Sequence, residues 1–314
     1  MRLYEALIKD ETYKAHYDRV AAEARRNPLF RKVISEGIRE GIFSDEAHAI
    51  GQIHDAVIQA AYPAAIGREL IQVRTTTKTL ERFIKEVRSS AYVSTEAGEI
   101  KVIPAKYNYV DVYCDIVIKA ASEWTRELVE DATWNVMDRQ LQAIGKEVAI
   151  KETQRIIDLY ESISTSDLAG GDELDGGGTG MDWAKLRRLW HALQKENITP
   201  TVVAMNPTHI AQLLGSTEFI HSAYAPSEAT DIRKGVISEV LGMRVVTSTL
   251  IPEGKAYALD AELAAVLLVR RDLTTEPYED PKKGIYGVVA TERIGLGVIQ
   301  PKAVARMVNI ATTV

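Results

Sequence analysis

The sequence predicts an α+β fold, and three observations carry that reading. Residues 119–161 place apolar side chains at helical spacings of three and four. Residues 71–118 and 261–310 are rich in β-branched residues and alternate polar with apolar. Between them, residues 181–260 mix short helices with short strands. A chain of 314 residues has room for one large or two modest domains. A hydrophobic fraction of 46% supplies a real core, and a charged fraction of 26% argues against wholesale disorder. The net charge of -6 excludes a strongly basic, histone-like binder but leaves a local basic surface open.

From the start of the chain, Leu3, Leu7 and Ile8, then Val20, Ala21 and Ala24, sit at helical spacing until Asn27-Pro28 breaks the pattern. A second amphipathic run covers Leu29–Gly41, and Ser44 with Asp45 and Glu46 marks another helix start. Residues 1–40 hold nine Lys/Arg against seven Asp/Glu, a local positive excess in an acidic chain. A solvated helix face fits this, and so does an arm along a partner subunit or nucleic acid. Ile71–Leu80 then begins a β excursion, which Phe83, Ile84 and Val87 continue. It passes a polar tip at Ser89–Gly98 and returns through Tyr107, Tyr109, Val110, Val112, Tyr113, Ile116 and Ile118. Six cations (Arg68, Arg74, Lys78, Arg82, Lys85, Arg88) face three acids (Glu69, Glu81, Glu86) in the first limb. An isolated hairpin is marginal in water, so a long one needs a surface to lie on.

The run from Ala121 to Tyr160 (Trp124, Leu128, Val136, Leu141, Ile144, Val148, Ile156) predicts one helix of about 40 residues, roughly 60 Å long. Residues 162–180 hold six glycines and predict a flexible surface loop. They lack the Gly-Lys-Ser/Thr of a phosphate loop and the acid spacing of a calcium loop. Asp182 then predicts a helix cap, Thr201–Met205 a buried strand stopped at Asn206-Pro207, and Thr208–Leu214 a short helix. Met243–Ser248, Lys255–Asp260, Ala265–Tyr278, Ile285–Ile294 and Pro301–Ile310 read as strands, with turns at 251–254 and 280–284.

Catalytic chemistry is not visible. The six histidines share no helix face at metal-binding spacing, and there is no nucleophile elbow. Gly295-Leu296-Gly297 lacks the third glycine and the helix of a dinucleotide fingerprint. A lone Cys114 is expected in the core, forms no disulfide within the chain, and points to a reducing compartment. Neither a secretory signal nor a membrane span is expected, and no catalytic, metal or cofactor residue is assigned.

The order of elements and the C-terminal half together resemble the Hong Kong 97 phage major capsid protein family. The likeness runs through Leu241-Gly242-Met243-Arg244-Val245-Val246, Ile251-Pro252-Glu253-Gly254, Tyr257-Ala258-Leu259-Asp260, Arg270-Arg271, Glu279-Asp280 and the Gly295–Pro301 segment. It implies an N-terminal helical arm (1–66) and an extended β-hairpin loop (67–115). It also implies a peripheral domain with a long spine helix (116–165 and 261–300) and an axial α/β domain (166–260 and 301–314). The implied function is a structural subunit that self-assembles as pentamers and hexamers into an icosahedral shell around double-stranded DNA. Its partners would be copies of itself, DNA held without sequence specificity, and portal, scaffold or decoration proteins. It would reside in the virion, and in the host cytoplasm during assembly. Arg74, Lys78, Arg82, Lys85 and Arg88 are the candidate intersubunit contacts. In some relatives a loop lysine cross-links to an asparagine; Lys78, Lys85, Lys101 and Asn309 are present here, with no motif marking them. Two other readings stay open: an encapsulin-like nanocompartment shell, and a cytosolic α/β enzyme or ligand-binding protein with a pocket in residues 181–260.

Overall fold

A computed structural model describes residues 57, 66–85, 108–125, 134–215, 230–231, 236–237, 239–280 and 282–313. Apart from Val57 and Ile66, the expected N-terminal arm lies outside these residues, as do the tip of the β excursion and Arg88. After a 3-10 turn at Ile66–Glu69 come β1 (Gln72–Thr75), β2 (Leu80–Lys85), β3 (Asn108–Tyr113) and β4 (Ile116–Thr125). Helix α1 (Trp134–Glu161) leads to β5 (Leu174–Asp175), α2 (Trp183–Lys195), β6 (Val202–Met205) and α3 (Pro207–Leu214). The short strands β7 (Thr230–Asp231), β8 (Val236–Ile237) and β9 (Glu239–Val240) precede β10 (Met243–Thr247) and β11 (Ala256–Leu259). Two long strands, β12 (Ala265–Asp280) and β13 (Ile285–Val298), and a final β14 (Val304–Val308) complete the order.

Contacts divide the chain into two units. The larger takes Ile66–Ile116, Thr153–Arg270 and Ile294–Val314. Its centre is a mixed sheet in the order β5-β14-β11-β6-β10-β9. Strand β6 runs parallel to β10 and antiparallel to β11, while β14 runs antiparallel to β11 and parallel to β5. Every residue of β6 and β11 is buried, as expected for a sheet covered on both faces. Helix α2 packs on β11 and β14. Its apolar residues Leu186, Leu189 and Leu193 recur at three and four and are fully buried. Asp182 caps it by accepting from Lys185 N, and Asn206 caps α3 by accepting from Thr208 N, with Pro207 in the first turn.

The end of α1 is anchored in the same unit. Arg306, on β14, donates from Nη1 to the carbonyls of Tyr160 (3.3 Å) and Glu161 (2.9 Å), and from Nη2 to that of Ile163 (3.3 Å). It thereby satisfies acceptors that a helix C-terminus otherwise leaves open. Arg306 Nη2 also lies 2.5 Å from Glu173 Oε1. The Glu161 carboxylate accepts from Lys255 Nζ at 2.6 Å and from the Tyr257 hydroxyl. Burial pushes the Glu161 carboxyl up, but these two bonds and the charges of Lys255 and Arg306 outweigh it and hold it below the usual range.

The smaller unit's described residues are Val57 and those within Val117–Glu152 and Arg271–Arg293. A four-stranded sheet has the order β1-β12-β13-β4. Thr274 Oγ1 bonds the Thr291 carbonyl at 3.2 Å, and the Tyr278 ring lies against Gly287, where a Cβ would fall 2.5 Å from it. Tyr278 donates its hydroxyl to Glu123 Oε1, a bond that pushes the phenol up to about 12.

Two sequence expectations are corrected. The helix expected from residue 119 is a strand to Thr125, and the described helix covers 28 residues, about 42 Å. Along β4 the burial alternates, with Ile118 and Trp124 inside and Ala121 outside. The inside pair is six residues apart, an even number that a strand satisfies. Residues 162–180, expected as a flexible surface loop, are instead built into the larger unit. Leu168 and Ala169 are buried, β5 joins the sheet edge, and Gly176 N and Gly178 N donate to the carbonyls of Val308 (2.8 Å) and Asn309 (2.9 Å).

Candidate functional site

A two-stranded ribbon, β2 with β3, has two faces that are both partly apolar. Pairing is antiparallel, with Leu80 opposite Tyr113, Arg82 opposite Asp111 and Ile84 opposite Tyr109. Alternation sends Phe83, Val110 and Val112 to one face. There they pack on a core of Val112, Cys114, Val266 and Leu268, with Ile299 beside them. Cys114 is fully buried, as expected of a small core residue.

The inner face lies very close to β13, and two glycines permit it. A Cβ on Gly295 would stand 2.5 Å from the Tyr113 carbonyl oxygen and 3.1 Å from Cys114 Cα. A Cβ on Gly297 would stand 2.3 Å from a Val112 methyl. The Gly295-Leu296-Gly297 pair, weak as a nucleotide motif, is therefore a seat for the base of the ribbon.

The opposite face carries Ile84, Tyr109 and Tyr113, which are 65%, 57% and 56% exposed. Between them Arg82 makes a bidentate pair with Asp111, Nε to Oδ1 at 2.7 Å and Nη2 to Oδ2 at 2.9 Å. Its guanidinium also lies 3.9 Å from the Tyr109 ring centroid. The hydrogen bond from Arg82 holds the Asp111 carboxyl below its usual range and raises the guanidinium. An exposed pair of this kind adds little stability, but its fork fixes one register and keeps the two side chains flat. The result is an apolar and aromatic strip around a self-neutralised charge pair, a composition enriched in protein interfaces.

The candidate contact residues divide on this frame. Arg82 lies in the strip. Lys85 is half-buried on the inner side of β2. Arg74 is on β1, exposed, with its guanidinium 5.4 Å from the Phe83 ring centroid. Lys78 is exposed in the turn before β2, with its backbone N–H bonded to Thr76 Oγ1 at 3.1 Å. Ile84, Tyr109, Asp111 and Tyr113 were missed by a reading that followed charge alone. The signal available was the alternation Tyr109-Val110-Asp111-Val112-Tyr113, which gives apolar character to both faces. Asn309, a cross-link candidate, sits in the left-handed region (φ 57°) and donates to Asp175 Oδ1 at 2.9 Å.

Elsewhere, buried polar groups are structural. Lys185 Nζ donates to Thr179 Oγ1 (2.7 Å) and the Gly180 carbonyl (2.5 Å), holding the glycine segment against α2. His209 accepts from Gly254 N on Nε2 at 3.1 Å and meets Gln212 Oε1 through Nδ1 at 3.1 Å. Gln212 Nε2 in turn donates to the Ala311 and Thr313 carbonyls, each at 2.8 Å. Among the described residues, no group of three or more His, Cys, Asp or Glu side chains could hold a metal ion. No described helix is long and apolar enough to cross a membrane.

Comparisons with known proteins bear on the fold and the family. The family described as "Phage capsid protein" matches residues 119–307 of the chain, well over half of it. Among solved structures, the capsid of the cyanophage P-SCSP1u superposes with a TM-score of 0.62 at 16% identity, covering 76% of this chain and 86% of that one. The capsid of a native GTA particle gives 0.61 at 14% identity, covering 79% and 91%. An encapsulin complex from Synechococcus elongatus gives 0.56 at 14%, covering 78% and 87%. No curated protein matches by sequence. These likenesses establish a Hong Kong 97-like fold, and the family match over residues 119–307 establishes that the chain belongs to the phage capsid protein family, as a shell-forming structural protein.

Proposed function

We propose that the chain is the major capsid protein of a tailed virus, assembling as pentamers and hexamers into an icosahedral shell around double-stranded DNA. The observation that carries this reading is the family match over residues 119–307. The outer face of the β2–β3 ribbon supports it. Ile84, Tyr109 and Tyr113 give up water on contact with a second copy, while the Arg82–Asp111 pair imposes no net charge there. The contact residues of this reading are Arg74, Lys78, Arg82, Lys85 and Arg88, joined by the ribbon strip. Many copies in closed symmetry turn modest contacts into a stable shell.

The division into arm (1–66), extended loop (67–115), peripheral domain (116–165, 261–300) and axial domain (166–260, 301–314) is part of the same proposal. DNA would be held through its phosphates, and portal, scaffold and decoration proteins would meet the finished shell. Assembly would take place in the host cytoplasm. The protein would have no enzymatic role.

An encapsulin-like compartment is the second reading, favoured by the Synechococcus superposition. The test is the content of nuclease-treated particles. A 260/280 nm absorbance ratio well above that of protein, with extractable DNA, supports a virus. Particles that hold one enzyme and no nucleic acid overturn it in favour of a compartment.

A further inference from the structure

Helix α2 carries a face whose charge the fold does not explain. Its exposed residues include Arg187, Arg188, His191 and Lys195, and its 13 residues contain no acid. Two features count against a merely solvated surface. Arg187 and Arg188 are like charges side by side, and no acid stands three or four residues from Arg187, Arg188 or Lys195 to offset them. Arg187, His191 and Lys195 also repeat every four residues, so they share one side of the helix. The exposed side of α1, by contrast, mixes signs: Lys146, Glu147, Lys151, Arg155 and Asp158.

The nearby acids are already engaged. Asp182 lies 3.5 Å from Lys185 Nζ, and Glu196 lies 3.1 Å from Lys302 Nζ. The Asp175 carboxylate accepts from Gly177 N and Asn309 Nδ2, each bond 2.8–2.9 Å, and it feels the charge of Arg188, which donates to the Asp175 carbonyl at 2.9 Å. Among the described residues, Arg187, His191 and Lys195 meet no carboxylate. The chain keeps this cationic stripe despite a net charge of -6.

We infer that the outward face of α2, through Arg187, Arg188, His191 and Lys195, is a docking surface for the phosphate backbone of double-stranded nucleic acid. The inference rests on the reading of a genome-enclosing shell and names the surface that would meet the genome. From Arg187 to Lys195 the stripe spans about 12 Å at 1.5 Å per residue. One strand of a duplex presents a phosphate about every 3.4 Å along its axis, so three or four phosphates lie within that span in any register. A carboxylate surface on a second copy would need its acids placed one by one, whereas a duplex supplies continuous charge. Arginine also matches phosphate with a two-pronged fork. The contact carries no sequence information, as packaging requires.

The test uses the full-length subunit, kept below its assembly concentration, with a fluorescent 30-base-pair duplex and anisotropy read from 50 to 300 mM salt. The variant Arg187→Gln/Arg188→Gln/Lys195→Gln removes three exposed charges. The control Lys146→Gln/Arg155→Gln/Lys282→Gln removes three others, also exposed. Each lost phosphate contact flattens the slope of log K against log salt by about 0.9, so the stripe variant should lose about 2.5–3 from the slope. Its affinity at 100 mM salt should fall tenfold or more, and the control should stay near wild type. A wild-type slope in the stripe variant, an equal loss in the control, or no duplex binding by wild type overturns the inference. So does a stripe variant that keeps duplex binding but stops self-associating, which would assign the face to a second copy. Particles that hold one enzyme and no DNA, from a subunit whose stripe binds the duplex, would sink the genome reading and leave the surface standing.

Discussion

Replacing Arg306 tests how the long helix is held to the central sheet. In Arg306→Leu the apolar stem survives, so the cavity left behind is small, but the guanidinium fork is lost. Two buried carbonyls, those of Tyr160 and Ile163, lose their donor, and the part-buried Glu161 carbonyl loses a third bond. An acceptor stranded in the interior costs about 1–3 kcal/mol. The Glu173 carboxylate also loses its partner, but at 30% exposure it recovers much of its hydration. Arg306 Nε is buried without a partner, so the wild type already bears one such cost and the variant is relieved of it. The net is about 3–4 kcal/mol, in the range for breaking a buried charged network. Urea unfolding of the unassembled subunit, followed by tryptophan fluorescence, should then show the midpoint falling by about 1 M for a slope near 3 kcal/mol/M. Arg306→Lys, which keeps the charge but not the fork, should fall between the two. A midpoint for Arg306→Leu within about 0.3 M of wild type, against that expected slope, would refute the reasoning.

Four further outcomes follow from other parts of the molecule. Gly295→Ala forces a methyl against the Tyr113 carbonyl and Cys114 Cα, both backbone, so it should destabilise by about 1–3 kcal/mol in the same unfolding assay. Val148→Pro, within α1 and 2% exposed, should cost about 3 kcal/mol or more by removing a helix donor; unchanged thermal unfolding would contradict a helix there. Because Glu161 titrates below its ordinary 4.5, its contribution to stability is complete above that value and disappears as the pH falls through the lower folded-state value. Midpoints measured from pH 6 to pH 3 should therefore fall less steeply for Glu161→Gln than for wild type. Ile84→Lys/Tyr109→Lys changes only the exposed face of the ribbon, so the subunit should unfold normally and yet fail to form particles under electron microscopy.

The sequence made the elements of residues 181–310 legible because their signals are local. Asp182 and Asn206 cap the helices they announce, and the turn at 251–254 places Gly254 at φ 80°. The β excursion was also legible, as β-branched residues between polar turns. Residues 119–125 were not, because Ala121 and Trp124 fit a helical spacing of three. Only the outward position of Ala121, set by pairing within the sheet, shows that the segment is a strand. The glycine segment misled in another way. Its order comes from Gly176 and Gly178 bonding Val308 and Asn309, more than 130 residues away, which composition cannot reveal. Of the proposed interface, the charges were visible and the strip was not. Ile84, Tyr109 and Tyr113 look like core residues until Phe83, Val110 and Val112 are seen to occupy the inner face. Gly295 and Gly297 carried meaning only once Val112 and Tyr113 were found against them.

The central claim, that this chain builds a shell, is tested most directly by purifying it alone and measuring its mass by size-exclusion chromatography with light scattering, with negative-stain images of the leading peak. The account predicts closed particles of megadalton mass, or rings of five and six subunits that close into them. A monomer or dimer that never assembles, across salt and pH, would contradict it.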